Sequence, residues 1–65
     1  MEYNYPKAIV RLRVKLNMTQ EELAKMLNVS LSTVNRWEKG HFVPTTLVKI
    51  KLEDLFKEND IEEYR

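Results

Sequence analysis

The sequence predicts an all-α fold: a compact bundle of four short helices, with residues 59–65 left as an acidic tail or a short fifth helix. Three observations carry this. Apolar residues recur at helical spacing, as in Ile9, Leu12 and Leu16. Helix starts are marked at Thr19 with Glu22, at Ser30, and at Thr45 or Thr46. No run of β-branched and aromatic residues alternates with polar ones between turn signals, so nothing reads as a strand.

The first helix is expected over about 6–16. Pro6 suits a first turn, where its missing N–H costs nothing. Ile9, Leu12 and Leu16 share one face, and Arg13 falls beside them. The second is expected over 20–27, where Thr19 and Glu22 form the T-x-x-E capping box and Leu23, Ala24 and Leu27 form the inner face. Asn28 follows, a residue that tolerates left-handed φ at a helix end. The third is expected over 31–39, with Ser30 as N-cap and Gly40 just past its end. The fourth is expected over 45–58 and carries a broad apolar arc of Leu47, Val48, Leu52, Leu55 and Phe56. Each of these is expected in the core, with any excess free to form a subunit interface. Asp60 would cap any further turn, and Tyr3, Tyr5 and Tyr64 are expected to pack at the termini.

With 65 residues the chain is expected to be one domain near the lower size limit for unaided folding. It has no cysteine, which removes disulfides and thiolate metal sites, and a single His, so no metal or other cofactor is expected. No apolar run reaches the roughly 18 residues of a membrane span. The opening stretch MEYNYPKAIVRLR lacks the layout of a signal peptide. A cytoplasmic protein is the expectation. The net charge of +1 is unevenly spread: residues 1–51 carry +5 and residues 52–65 carry −4. A basic body with an acidic tail suits a chain that meets an anionic partner at one end, and equally a solvated mixed surface.

The third helix is the most informative element. At about 100° per residue, Leu31, Ser32, Asn35, Arg36 and Lys39 share one side, and Thr33, Val34, Trp37 and Glu38 the other. Val34 and Trp37 must pack inward, so Trp37 reads as core rather than as a base-stacking platform. A merely solvated face more often carries Glu and Lys, the stronger helix formers. Small polar side chains with an Arg suit a DNA major groove, where Asn pairs with adenine, Arg with guanine, and an apolar group meets a thymine methyl. Leu31 fits that last role, and fits equally well packed under the turn. The starts of the second and fourth helices offer free N–H groups to phosphates.

Beyond these periodicities, the stretch resembles the helix-turn-helix of the Cro/repressor family, which includes the lambda-type phage repressors. The matching residues are Leu12-Arg13, Thr19-Gln20-Glu21-Glu22-Leu23-Ala24, Val29-Ser30, Ser32-Thr33-Val34 and Arg36-Trp37-Glu38-Lys39-Gly40, with Pro44 after them. The resemblance covers roughly residues 7–57 and implies that the third helix is the recognition helix. Leu31, Ser32 and Arg36 match positions that reach base edges, with Asn35 a further base-contact candidate from its place on the same face. Gln20 matches a residue that touches phosphate and can brace the recognition helix, and it is counted with Leu31, Ser32, Asn35 and Arg36 among the base-contact candidates. Thr19, Lys39 and the His41–Thr46 segment match backbone-contacting positions, so Thr19, Lys39, His41, Thr45 and Thr46, together with Lys49, are the phosphate-contact candidates. The resemblance also implies an ion pair between Arg13 and Glu38, tying the first helix to the third; its loss in Glu38→Gln should lower thermal stability. Two features depart from the family. Asn28 stands where Gly is common, and the chain ends soon after the fourth helix, where a fifth often contributes to dimerisation.

The reading that follows is a sequence-specific, double-stranded DNA-binding protein, a repressor-like transcriptional regulator on a palindromic operator, acting as a homodimer. The runner-up is a protein-interaction or antitoxin-like module on the same fold, using the apolar arc of the fourth helix. A piece of a longer protein fits either. An enzyme is not expected: one Gly rules out a Gly-rich phosphate loop, and no Ser-His-Asp set or carboxylate pair suggests a cleft. Neither a small-molecule substrate nor a membrane is expected as partner.

Overall fold

The computed structural model describes residues 2–65. Among them are four helices and no strand: α1 (Tyr5–Lys15), α2 (Gln20–Leu27), α3 (Leu31–Glu38) and α4 (Thr46–Glu58). α3 packs on both α1 and α2, and α4 packs on α1.

Three of the four starts are closed by a side chain. Asn4 accepts from the Lys7 N–H, so α1 begins one residue before Pro6. Thr19 and Glu22 make both bonds of the capping box, at 3.1 and 2.8 Å. Ser30 accepts from the Thr33 N–H at 3.1 Å. Thr45 caps α4 by position but makes no side-chain bond.

The helix ends share one device. A left-handed residue follows each helix: Asn17, Asn28, Gly40 and Asp60, with φ of 57°, 59°, 78° and 56°. The next N–H then reaches back to a carbonyl in the last turn, as Met18 to Arg13 (2.8 Å), Val29 to Ala24 (2.9 Å), His41 to Arg36 (3.0 Å) and Ile61 to Phe56 (2.8 Å). A chain with one Gly can do this four times because Asn and Asp bear the left-handed region better than other side chains.

Asp60 is therefore the stop of α4 and caps no further turn. The last residues form no helix. The turn at Asp60 buries Ile61, and the chain runs back beside the N-terminus. Tyr3 and Tyr64 form an antiparallel bridge, flanked by Asn4 N–H to Glu63 O (2.8 Å) and Arg65 N–H to Glu2 O (2.9 Å). The aromatic rings close over this clasp. Tyr3 lies 4.8 Å from Phe56 and 4.9 Å from Tyr64, centroid to centroid.

The core joins Ala8, Ile9 and Leu12 of α1, Leu23, Ala24 and Leu27 of α2, Val34 and Trp37 of α3, and Leu52 and Phe56 of α4. Tyr3, Tyr5 and Ile61 extend it beneath the clasp. Leu47 is a correction. It is 76% exposed, as is Ile50 at 55%, because it lies about 100° from Val48 and further still from Leu52 and Phe56 around the helix. No described helix is long and apolar enough to cross a membrane.

Candidate nucleic-acid interface

α3 is presented by the two helices beneath it. Val34 and Trp37 are buried, so the opposite side of the helix must face outward. Leu31, Ser32, Arg36 and Lys39 are all exposed there, and Asn35 is half-buried. Leu31 is 47% exposed. Ser32 keeps its hydroxyl 3.2 Å from that of Ser30, at the N-terminal end of the helix. Arg36 lies over the Phe42 ring, 5.4 Å from its centroid, which steadies the guanidinium without removing it from water. Among the described residues, neither Arg36 nor Lys39 is in a salt bridge.

Behind this face lies a polar network spanning three helices. Arg13 of α1 donates from Nε and Nη2 to the two carboxylate oxygens of Glu38, at 2.8 and 3.1 Å, and from Nη1 to Met18 O at 3.2 Å. The guanidinium pKa is raised above its ordinary value chiefly by this hydrogen bonding; burial opposes it, and the charge of Glu38 adds a smaller increase. The pair is not fully enclosed: the Arg13 and Glu38 side chains keep 22% and 9% exposure. Its loss should therefore cost about 1–3 kcal/mol, below the figure for a fully buried pair. Gln20, opening α2, donates to Glu38 Oε1 at 2.8 Å and accepts from Asn35 Nδ2 at 3.4 Å. Nothing in the spacing of Gln20, Asn35 and Glu38 marks them as mutual partners; that depends on how α2 meets α3.

The phosphate-contact candidates divide. His41, Thr45 and Thr46 are exposed around the start of α4, where the Thr45 hydroxyl is uncommitted. Thr19 is also exposed, but its Oγ1 and N–H are both engaged with Glu22, leaving only its hydroxyl proton to donate. Lys49 is drawn elsewhere. Its ammonium sits 5.3 Å from the centroid of the Tyr5 ring, in the terminal aromatic cluster.

The arrangement is a capped helix, a three-residue turn (Asn28, Val29, Ser30), and a second capped helix with one apolar and one polar side. A helix-turn-helix family model matches residues 9–63, and the chain belongs to that family, in its Cro/C1-type branch, a DNA-binding class. Over 48 residues it is 44% identical to the vegetative-specific protein H7 of Dictyostelium discoideum, covering 74% of this chain and 46% of that one. A protein of Pyrococcus furiosus, named for an HTH-type role in transcriptional regulation, is 45% identical over 47 residues, 72% of this chain and 15% of its own. An uncharacterized HTH-type transcriptional regulator of Archaeoglobus fulgidus is 42% identical over 48 residues, 74% of this chain and 68% of its own. The chain thus spans less than half the length of the first two relatives. No solved structure matches it.

Proposed function

We propose that the protein binds double-stranded DNA sequence-specifically, placing α3 in the major groove, and regulates transcription as a repressor. The observation that carries this is the exposed side of α3. Leu31, Ser32 and Arg36 stand outward from a helix whose other side is locked into the core. Arg36 is suited to guanine, Ser32 to several base edges, Leu31 to a thymine methyl and Asn35 to adenine. Gln20 lies beside Asn35 at the edge of the same face. Lys39, His41, Thr45, Thr46 and the hydroxyl of Thr19 grip phosphates and set the register, which carries no sequence information of its own. Lys49 joins them only by leaving the Tyr5 ring.

The expected site is a palindrome whose half-sites lie about 34 Å apart, read by a homodimer. Selection from a random duplex pool, followed by titration of the winning sequence at two salt concentrations, tests the reading. A palindrome bound far more tightly than random DNA, with affinity falling steeply as salt rises, supports it. Weak binding without enrichment sinks it. Within that assay Arg36→Ala should cost about 1–3 kcal/mol on the selected site and relax preference at one base pair. An equal loss on every sequence would make Arg36 a phosphate contact.

A further inference from the structure

Two primary amides, Gln20 and Asn35, lie side by side at the base of the outward face. Left to themselves such amides can bond in either sense, since each carries a donor end and an acceptor end. Here a third group removes the ambiguity. The carboxylate of Glu38, held by Arg13 in a two-pronged pair, offers only acceptors. Gln20 must therefore turn its NH2 toward Glu38, and does so at 2.8 Å. The reverse orientation would set a carbonyl oxygen against a carboxylate oxygen at that distance. Gln20 Oε1 then faces Asn35, which must answer with its own NH2. Asn35 is left with Oδ1 as a free acceptor and one free N–H, the pair of groups that adenine N6 and N7 require.

We propose that Glu38 sets the hydrogen-bonding polarity of the readout face, relayed through Gln20, so that Asn35 meets DNA with its amide already oriented. This rests on the DNA-binding reading above. Gln20 and Glu38 are positioning residues, Asn35 is the base-reading one, and the Arg13–Glu38 pair is at once a brace between α1 and α3 and the origin of the relay. The longest link, Asn35 to Gln20 at 3.4 Å, is the one that a base edge would tighten.

The test is a base-preference profile of the selected site for the wild type, Gln20→Ala, Asn35→Ala and the double variant. Gln20→Ala leaves the Arg13–Glu38 pair in place, so a loss of fold is not its expected effect. Gln20→Met, which keeps side-chain length and removes both polar atoms, repeats the test. The expected result is that either Gln20 variant lowers discrimination at the base pair read by Asn35 by at least about fivefold. It should add nothing there once Asn35 is Ala, and preference at the Arg36 base pair should be unchanged. A structural role alone would lower affinity for all sequences together and leave that profile intact. The proposal is overturned if Gln20→Ala leaves preference at the Asn35 base pair unchanged, if its loss falls at a different base pair and adds in full to that of Asn35→Ala, or if Asn35→Ala matches the wild type everywhere. A wild-type protein that enriches no sequence overturns the DNA reading itself, and the relay with it.

Discussion

The Tyr5 phenol of α1 lies buried in the terminal cluster and donates to Glu53 of α4. Burial raises its pKa most, and the hydrogen bond and charge of Glu53 raise it further, to well above the ordinary phenol value. Tyr3 is raised too, again chiefly by burial. The folded state thus holds these protons more tightly than the unfolded chain does. Stability is fully present below the ordinary phenol value of about 10 and is lost progressively as pH rises past it toward the raised folded values. Tyr5→Phe is expected to cost about 1 kcal/mol near neutrality and to flatten part of the alkaline decline. Thermal melts between pH 8 and 11 measure both; an unchanged alkaline slope would show that the Tyr5 proton is not held this way. Lys49, one turn into α4 and a phosphate-contact candidate, also has its ammonium over the nearby Tyr5 ring, a partner that residue type does not give.

At the level of the element, starts and stops are local chemistry. The Thr19 and Glu22 box was legible in four consecutive residues because both its bonds close within one turn. Thr19→Ala should cost about 1 kcal/mol of stability. The Glu22 carboxyl is held below its usual range, first by the Thr19 N–H that donates to it. Its contribution is therefore present above the ordinary carboxylate range and lost as pH falls through the lowered folded value. The acid limb of the stability curve should shift in Glu22→Gln; an unshifted limb would mean the box is open in solution. Asn28 and Gly40 could be read as stops from their residue types, whereas Asn17 and Asp60 could not be told from ordinary loop or cap residues. Asp60 resembles an N-cap as much as a left-handed stop, and only the burial of Ile61 decides between them.

Across the whole molecule, the last six residues act as a strap. Ile61 fills the core beneath Tyr3 and Phe56, Glu63 pairs with Arg11 at 2.9 Å, and the backbone of Tyr64 lies beside that of Tyr3. Ile61→Ala should destabilise by about 2–5 kcal/mol, a large share for so small a domain, read by thermal or urea unfolding. A cost under about 0.5 kcal/mol would mean the strap is loose in solution. The same turn that buries Ile61 keeps residues 60–65 from forming a fifth helix. Around the first turns of α4, Phe42 and Val43 before it and Leu47 and Ile50 on it stay exposed. If that surface joins two copies, Leu47→Ser should weaken self-association in sedimentation equilibrium by about tenfold or more while leaving the melting temperature of the monomer unchanged. Unaltered association would place the dimer contact elsewhere.

The sequence by itself determined the four helices, the capped turn between α2 and α3 and the inward side of α3, because each depends on neighbours within a few residues, and their combined pattern carried the family; it left open whether a fifth helix followed. Helical periodicity and cap chemistry act over one or two turns, and the chain writes them out directly. Tertiary structure alone decided the path of residues 60–65, the exposure of Leu47, the capture of Lys49 by Tyr5, and the meeting of Gln20 with Glu38 and Asn35. Each of these joins groups from different elements, or depends on which of two adjacent helix faces a neighbour covers. No local pattern encodes that choice, because it is made by the packing of the whole core.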